Sequence, residues 1–198
     1  MTTTVHAHPT QHATLTVVDP TTCPQPAFAD RSRRFAPRVD SLRGKVVAVI
    51  DNQMGSAPTF AAAIAERLQR DLDVAEVIWV KKPSVSVPPL PEDWQTIIDR
   101  ADAGIALFGG CGSCTSRAVR DATELEWAGI PAVAIVHELL LGAADAIRSI
   151  SRMEDYPVVT VGLPAAPTSP WTDEVLEQVM EDVFDDVIGR LVVASSDR

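Results

Sequence analysis

Several features are missing from this 198-residue sequence, and each absence excludes a class of protein. No apolar run approaches the roughly 20 residues that a bilayer-spanning helix needs, which argues against a membrane protein. Three cysteines are too few for a secreted disulfide framework. The N-terminus also lacks a basic stretch followed by an apolar one, so no signal peptide is predicted. We therefore expect a cytoplasmic protein.

Basic residues are outnumbered by acidic ones. Lysine and arginine total 17 against 27 aspartates and glutamates, which gives a net charge of −10. A surface this acidic repels phosphate backbones and anionic lipids, so we predict neither a nucleic-acid partner nor membrane docking. The P-loop motif, a G-x-G-x-x-G after the first strand and the serine-hydrolase G-x-S-x-G are also absent, which excludes the enzymes that depend on them.

The beginning of the chain differs in pattern from the rest. Residues 1–43 show no sustained helix or strand period, so we predict an arm that is partly disordered or wraps over the domain or a neighbouring chain. His6, His8 and His12 resemble a set of metal ligands. Because they lie in a polar arm, we interpret them as ordinary polar residues. Residues 44–198 are predicted to form a single domain that carries the C-x-x-C loop.

The domain alternates between short β-branched apolar runs and segments with helical spacing. This alternation predicts a parallel sheet with right-handed crossovers and helices on both faces. The fold class is α/β, and we expect a flavodoxin-like three-layer αβα architecture with five parallel strands in the order 2-1-3-4-5. The predicted strands cover residues 45–51, 75–80, 103–110, 131–137 and 156–162, and the predicted helices cover 59–72, 91–101, 113–129, 139–153 and 172–194.

The loop after the third strand, GGCGSCTS at 109–116, holds two cysteines where a helix begins. The partial positive charge of a helix N-terminus stabilises a thiolate and lowers the pKa of its thiol, and its amides can hold an anion. The C-x-x-C spacing lets one sulfur attack while the other resolves a mixed disulfide. The alternatives are a buried pair of small hydrophobes and a zinc knuckle completed by Cys23 and His137, and we favour a functional pair.

The loop after the first strand should meet the cysteine loop at the same edge of the sheet. Asp51 ends a buried strand, and Asn52, Gln53 and Ser56 follow it. These side chains can hydrogen-bond a substrate, or they can supply ordinary turn and N-cap chemistry. The sequence leaves both interpretations open.

The loop after the fourth strand begins with His137 and Glu138. Because this strand should neighbour the third, His137 can serve Cys111 or Cys114 as a general base or ion-pair partner. It can equally be a structural histidine with ordinary hydrogen bonds. Glu138 either orients that histidine or caps the next helix.

Several segments of the chain are similar to a known family. The tetrapeptide at 111–114 resembles the motif of the UGSC family of (seleno)proteins, in which selenocysteine or cysteine takes the first place. Three further segments also resemble sequences of this family: VVDPT at 17–21, LEWAGIPAV at 125–133 and VGLP at 161–164. More distantly, the strand, cysteine loop, helix and E-x-A-G-I-P-x-V run is similar to the selenoprotein subunits of glycine, betaine and D-proline reductases.

The resemblance implies roles for the two cysteines. Cys111 falls on the selenocysteine position and Cys114 on that of its partner; in the reductases a selenol attacks the α-carbon of the substrate and reductive C–N cleavage follows. We expect a cysteine-dependent enzyme of the redox or reductive-cleavage type, with Cys111 as nucleophile and Cys114 as resolving thiol. The substrate would be a small anionic molecule, and the candidate substrate-binding residues are Asn52, Gln53, Ser56, Gly110, Gly112, Ser113, Thr115, Ser116, Arg117 and Glu138.

No resident cofactor is expected, but an external dithiol reductant such as a thioredoxin-like protein would restore the thiols. The sequence does not decide whether a metal ion binds the two cysteines. Two other functions remain: a non-redox cysteine lyase, hydratase, isomerase or hydrolase that uses His137, and a non-catalytic subunit of a hetero-oligomer. A homodimer is the default assembly, with a hetero-oligomer containing a related subunit as the alternative.

Overall fold

The computed structural model describes residues 2–6, 14–18, 35–166 and 168–193. The chain divides into two compact units, Met1–Ser32 and Arg33–Arg198. In the first unit, β1 (Thr2–His6) and β2 (Thr14–Val18) pair antiparallel. These strands were not predicted, because each is only five residues long and no sustained period surrounds it, although threonine and valine favour extended backbone. His8, His12 and Cys23 lie outside the described residues.

The second unit alternates strands and helices as the sequence predicted. Its elements are β3 (Val46–Asp51), α1 (Ala57–Leu72), β4 (Glu76–Lys81), α2 (Pro91–Arg100), β5 (Ala103–Gly109), α3 (Gly112–Trp127), β6 (Ala132–His137), a short 3-10 helix (Glu138–Leu140), α4 (Leu141–Ser151), β7 (Val158–Val161) and α5 (Asp173–Leu191).

The strands of this unit form one parallel sheet in the order β4-β3-β5-β6-β7. Counted within the sheet, this is the order 2-1-3-4-5, and it confirms the flavodoxin-like three-layer architecture. Every residue of the central strands β5 and β6 is buried. Parallel strands covered on both faces need such unbroken apolar runs, which is why these two were recognisable in the sequence.

Each face of the sheet has its own apolar core. On one face α1 and α5 cover the sheet, with Phe60 and Phe184 among the buried side chains. On the other face α2, α3 and α4 pack around Leu125 and the single tyrosine, Tyr156. Removing one such large side chain from water stabilises the fold by about 1.5–3 kcal/mol.

The last helix, α5, is amphipathic in the way its spacing predicted. Val179, Val183, Val187 and Leu191 are buried against the sheet, while the acidic side chains occupy the outer face. The helix ends at Leu191, three residues before the predicted end. No helix in the described part of the chain is both long and apolar enough to cross a membrane.

Candidate functional site

The carboxyl ends of β3 and β5 are joined by a side-chain hydrogen bond. The pairing of β5 with β6 shifts register between Ala106 and Gly109, just before the cysteine loop. There the carboxamide nitrogen of Asn52, which follows β3, donates to the carbonyl oxygen of Phe108 at 2.8 Å. Asn52 is fully buried. Its side chain therefore fixes the loop after β3 against the point where the chain turns into the cysteine loop.

Cys111 and Cys114 form a disulfide at the beginning of α3. Cys111 is the N-cap residue, and its Sγ accepts the backbone N–H of Cys114 at 3.2 Å. Cys111 is partly exposed, whereas Cys114 is completely buried. The hydroxyl oxygen of the exposed Ser113 lies 3.5 Å from Cys111 Sγ. The amides of Gly112 and Ser113 belong to the first turn, where a helix offers N–H groups no intrahelical acceptor, so an anion near Cys111 would meet unpaired donors.

A third sulfur lies against the disulfide. Met54 Sδ is 3.6 Å from Cys114 Sγ. The backbone of Met54 is fixed on both sides, because its N–H donates to Asn52 Oδ1 and its carbonyl accepts the N–H of Ala57. The sequence analysis did not predict a role for Met54, because no sequence pattern distinguishes a functional methionine in a turn from one that only packs.

Asp51 is a buried carboxylate that organises the turn after β3. It accepts the backbone N–H of Gln53 at 2.7 Å, the side-chain amide of Gln53 and the indole N–H of Trp79 at 3.2 Å. Burial raises the pKa of Asp51, and the bonds from Gln53 and Trp79 oppose that rise. Gln53 is exposed and has a φ of 64°, so the carboxylate holds it in a left-handed conformation. Gln53 can still present its carbonyl oxygen to a ligand.

Two serines proposed as substrate ligands bind within the fold. Ser56 Oγ accepts the backbone N–H of Trp171 at 2.7 Å, which joins the start of α1 to the segment before α5. Ser116 Oγ donates to the carbonyl of Gly112 at 2.9 Å, inside the first turn of α3. Gly110 is buried, and its N–H donates to the carbonyl of Phe108. These contacts explain the residue types without a ligand.

Arg117 belongs to a network of charged groups on α3. Its guanidinium contacts Asp121 at 2.6 Å and Glu124 at 2.7 Å. Asp121 also pairs at 2.7 Å with Lys82, and neither of these two side chains is exposed. Desolvation lowers the pKa of Lys82, and the charge of Asp121 opposes that shift. The network ties α3 to the segment after β4, a role that sequence spacing alone did not indicate for Lys82.

Two buried polar atoms near the cysteine loop lack hydrogen-bond partners among the described residues: Thr115 Oγ1 and His137 Nε2. Both residues are completely buried. His137 accepts the N–H of Leu139 at Nδ1, at 3.2 Å, and it bonds neither cysteine. A Cβ added at Gly109 would lie 2.7 Å from the side chain of Val136 and 2.9 Å from Thr115 Oγ1, so only glycine fits between them. Buried polar atoms are normally satisfied, so these two are unsatisfied polar groups next to the cysteine loop.

A comparison with known protein families assigns the chain to one of them. The model of the UGSC family matches residues 16–193, which include the cysteine loop. The chain belongs to the UGSC family. It matches no curated protein. The more distant similarity to reductase selenoprotein subunits stays a prediction.

This UGSC-family protein also has a cavity at the carboxyl ends of β6 and β7, with a volume of about 240 Å³. Glu138 lines it, and the exposed carboxylate of that residue would lie 3.1–3.2 Å from a Cβ added at Gly162. Further lining residues include Thr160, Leu163, Gln178, Val179 and Asp182. The cysteines do not line this cavity, so it is not the immediate pocket of the disulfide loop.

The described part of this UGSC-family chain holds no group of three or more histidine, cysteine, aspartate or glutamate side chains suited to a metal ion. The zinc knuckle considered from the sequence required Cys23, which lies outside the described residues, and His137. His137 is directed through Nδ1 to a backbone amide.

Proposed function

We propose that this protein is a cysteine-dependent enzyme of the redox type, in which Cys111 attacks a small anionic substrate and Cys114 resolves the product. The observation that carries the proposal is the pairing of a partly exposed Cys111 with a fully buried Cys114 in one disulfide at the start of α3. A substrate reaches Cys111 first. Cys114 is positioned to attack only what is already attached to its partner.

The local electrostatics support Cys111 as the attacking group in the reduced protein. The N–H of Cys114 is directed at Cys111 Sγ, and α3 places the positive end of its dipole there. Both favour a thiolate over a thiol. The same first-turn amides, together with Thr115 Oγ1, supply donors for a carboxylate or phosphate on the substrate.

The proposed cycle consumes two thiols in each turnover. The Cys111 thiolate displaces a leaving group X from a substrate R–X and forms a Cys111–R thioether. The Cys114 thiolate then attacks Cys111 Sγ, which forms the disulfide, and the departing R takes up a proton. Overall, the dithiol and R–X give the disulfide, R–H and H–X, so the substrate gains two electrons. A thioredoxin-like dithiol reduces the disulfide and is itself oxidised.

A trapping experiment tests these roles. In a Cys114→Ser variant the resolving step is blocked, so the reduced protein should accumulate a covalent adduct on Cys111 when incubated with α-substituted small carboxylic acids. Intact-mass spectrometry and peptide mapping identify the adduct. Cys111→Ser should form no adduct with the same compounds. Both variants carry Cys23→Ser, so that the remaining cysteine does not contribute.

An adduct that maps to Cys114, or full multiple-turnover activity in Cys114→Ser, would contradict the redox cycle. The second outcome would favour a non-redox enzyme that needs one thiolate. The buried, unpartnered His137 Nε2 is the observation that favours this second candidate: Nδ1 accepts the N–H of Leu139, so Nε2 carries the proton of the neutral imidazole and can donate it as a general acid. His137→Gln would then abolish activity, whereas the redox cycle requires no such loss.

The proposed setting is a reducing one. We propose that the protein acts in the cytoplasm, where dithiol reductants are abundant, and that it assembles as a homodimer or with a related subunit. No resident cofactor is part of the proposed cycle.

A further inference from the structure

Three sulfur atoms come together where β3 and β5 end. Cys111 and Cys114 are joined to each other, and Met54 Sδ lies 3.6 Å from Cys114 Sγ. The cysteines belong to one loop and the methionine to another, so the cluster is made by the fold and not by adjacent sequence. Once the disulfide is reduced, two thiol sulfurs and one thioether sulfur share this place.

The methionine is held there by backbone contacts on both sides of it. Asn52 accepts its N–H at 3.2 Å while donating to the carbonyl of Phe108 at 2.8 Å. The carbonyl of Met54 accepts the N–H of Ala57 at 2.8 Å. The loop after β3 is thus bonded to the end of β5 at Phe108, three residues before Cys111, so the backbone of Met54 does not lie in a long flexible segment.

The spacing and the donor type agree with one class of ion. A metal–sulfur bond of roughly 2.3 Å places two ligands of a three-coordinate ion about 4 Å apart, close to the separation between Met54 Sδ and Cys114 Sγ. Thiolate and thioether sulfurs are soft ligands that select Cu(I). Structural zinc and iron–sulfur clusters take about four protein ligands. No third histidine, cysteine or carboxylate joins the two cysteines among the described residues.

We propose that the reduced protein binds one soft monovalent ion, Cu(I), between Cys111, Cys114 and Met54. The ion carries one positive charge against two thiolates, and the N-terminal end of α3 stabilises the remaining negative charge. Binding transfers no electrons: each cysteine loses its proton to solvent and the copper stays in its +1 state. The disulfide must first be reduced by a two-electron reductant, so the oxidised protein does not bind the ion.

A competition experiment on the full chain tests the site. The protein is reduced with a phosphine, exchanged without oxygen and given Cu(I) as its acetonitrile complex, with bicinchoninate as the competing coloured chelator. We expect the reduced protein to retain one equivalent of Cu(I) and the oxidised protein to retain none. X-ray absorption at the copper edge should show three sulfur neighbours.

The decisive variant is Met54→Leu, which nearly conserves side-chain volume and so leaves the fold in place. It should weaken Cu(I) binding by at least about tenfold and reduce the sulfur count from three to two. Met180→Leu, which removes a buried methionine from α5, and Cys23→Ser should each bind as the unaltered chain does. Circular dichroism checks the fold of every variant.

Three results would overturn the proposal. The first is no retention of Cu(I) beyond that of a Cys111→Ser, Cys114→Ser double variant. The second is unchanged affinity and sulfur count in Met54→Leu. The third is displacement of Cu(I) by an equal amount of Zn(II), which would show that the site does not select a soft monovalent ion. None of these measurements involves the substrate, so their results are independent of the trapping experiment on Cys111.

Discussion

Polar groups are buried at both ends of α3, but only at one end are they fully paired. At the C-terminal end, the carboxylate of Glu126 accepts the N–H of Ala36 at 2.6 Å, the N–H of Ala132 at 2.9 Å and the guanidinium of Arg38 at 3.0 Å. At the N-terminal end, Thr115 Oγ1 is equally buried and has no partner among the described residues. One helix therefore carries a completed hydrogen-bond site and an incomplete one.

The difference separates residues that build the fold from residues that are available to a ligand. The Glu126 carboxylate accepts three hydrogen bonds, and these hold three chain segments together. An unpaired hydroxyl beside the disulfide costs the free protein stability, and under the proposed function a bound substrate would recover it. The segment at 125–133 that helped to indicate the family contains Glu126, so part of that sequence pattern reflects architecture.

The largest loss of stability should come from a substitution at the C-terminal end of α3, where the buried polar groups are paired. Glu126→Ala leaves two buried backbone N–H groups and Arg38 without their acceptor, and we expect the free energy of unfolding to fall by roughly 3 to 5 kcal/mol. Urea denaturation of the reduced protein measures the change. Glu126→Gln keeps one carbonyl acceptor and should lose less. A loss below about 1 kcal/mol in Glu126→Ala would mean that the carboxylate is not the structural centre that its contacts indicate.

The same contrast explains what could be predicted from the sequence. Buried parallel strands such as β5 and β6 are unbroken apolar runs, and sheet topology then places the loops after β3, β5 and β6 at one edge. The cysteine loop was found in this way. By contrast, the contact of Met54 with Cys114 and the pairing of Ser56 with Trp171 join positions 60 and 115 residues apart, and no local pattern encodes them.

Buried threonines on α3 provide a matched pair that sharpens the comparison. Thr123 is fully buried like Thr115, but its hydroxyl donates to the carbonyl of Arg120 at 3.0 Å. Thr115→Val removes an unpaired hydroxyl, so the free energy of unfolding should rise by about 1 kcal/mol, whereas Thr123→Val removes a bond and should lower it by about 1 kcal/mol. Urea denaturation of both variants measures the sign of each change in the free energy of unfolding.

Adduct formation on Cys111 provides the second measurement on this pair. Thr115→Val should slow the trapping reaction in the Cys114→Ser background, because a donor near the nucleophile is lost, and Thr123→Val should leave the rate unchanged. A protein that is stabilised and still reacts at full rate would show that Thr115 Oγ1 does not serve the substrate. Destabilisation by both variants would mean that Thr115 is paired in solution after all.

The smallest effect concerns two aspartates whose pKa values shift in opposite directions. Burial raises the pKa of Asp51 above its usual value, so its protonated form favours the folded state and that contribution is lost as the pH rises through the folded pKa. For Asp102 burial also raises the pKa, but the hydrogen bonds from Val46 N and Lys45 outweigh it and the pKa is lowered. Its contribution is present above the unfolded value of about 4 and is lost as the pH falls.

Urea denaturation of Asp51→Asn and Asp102→Asn between about pH 3 and pH 7 separates the two cases, since this range spans the ordinary carboxyl pKa. The unfolding free energy of the unaltered chain minus that of Asp51→Asn should decrease as the pH rises. The corresponding difference for Asp102→Asn should increase, because its salt bridge with Lys45 forms only when the carboxylate is charged. Taking differences removes the acid sensitivity common to both proteins. A difference for Asp51 that grows with pH would show that its bonds from Gln53 and Trp79 outweigh its burial, and the turn beside the cysteines would then be held by a charged carboxylate.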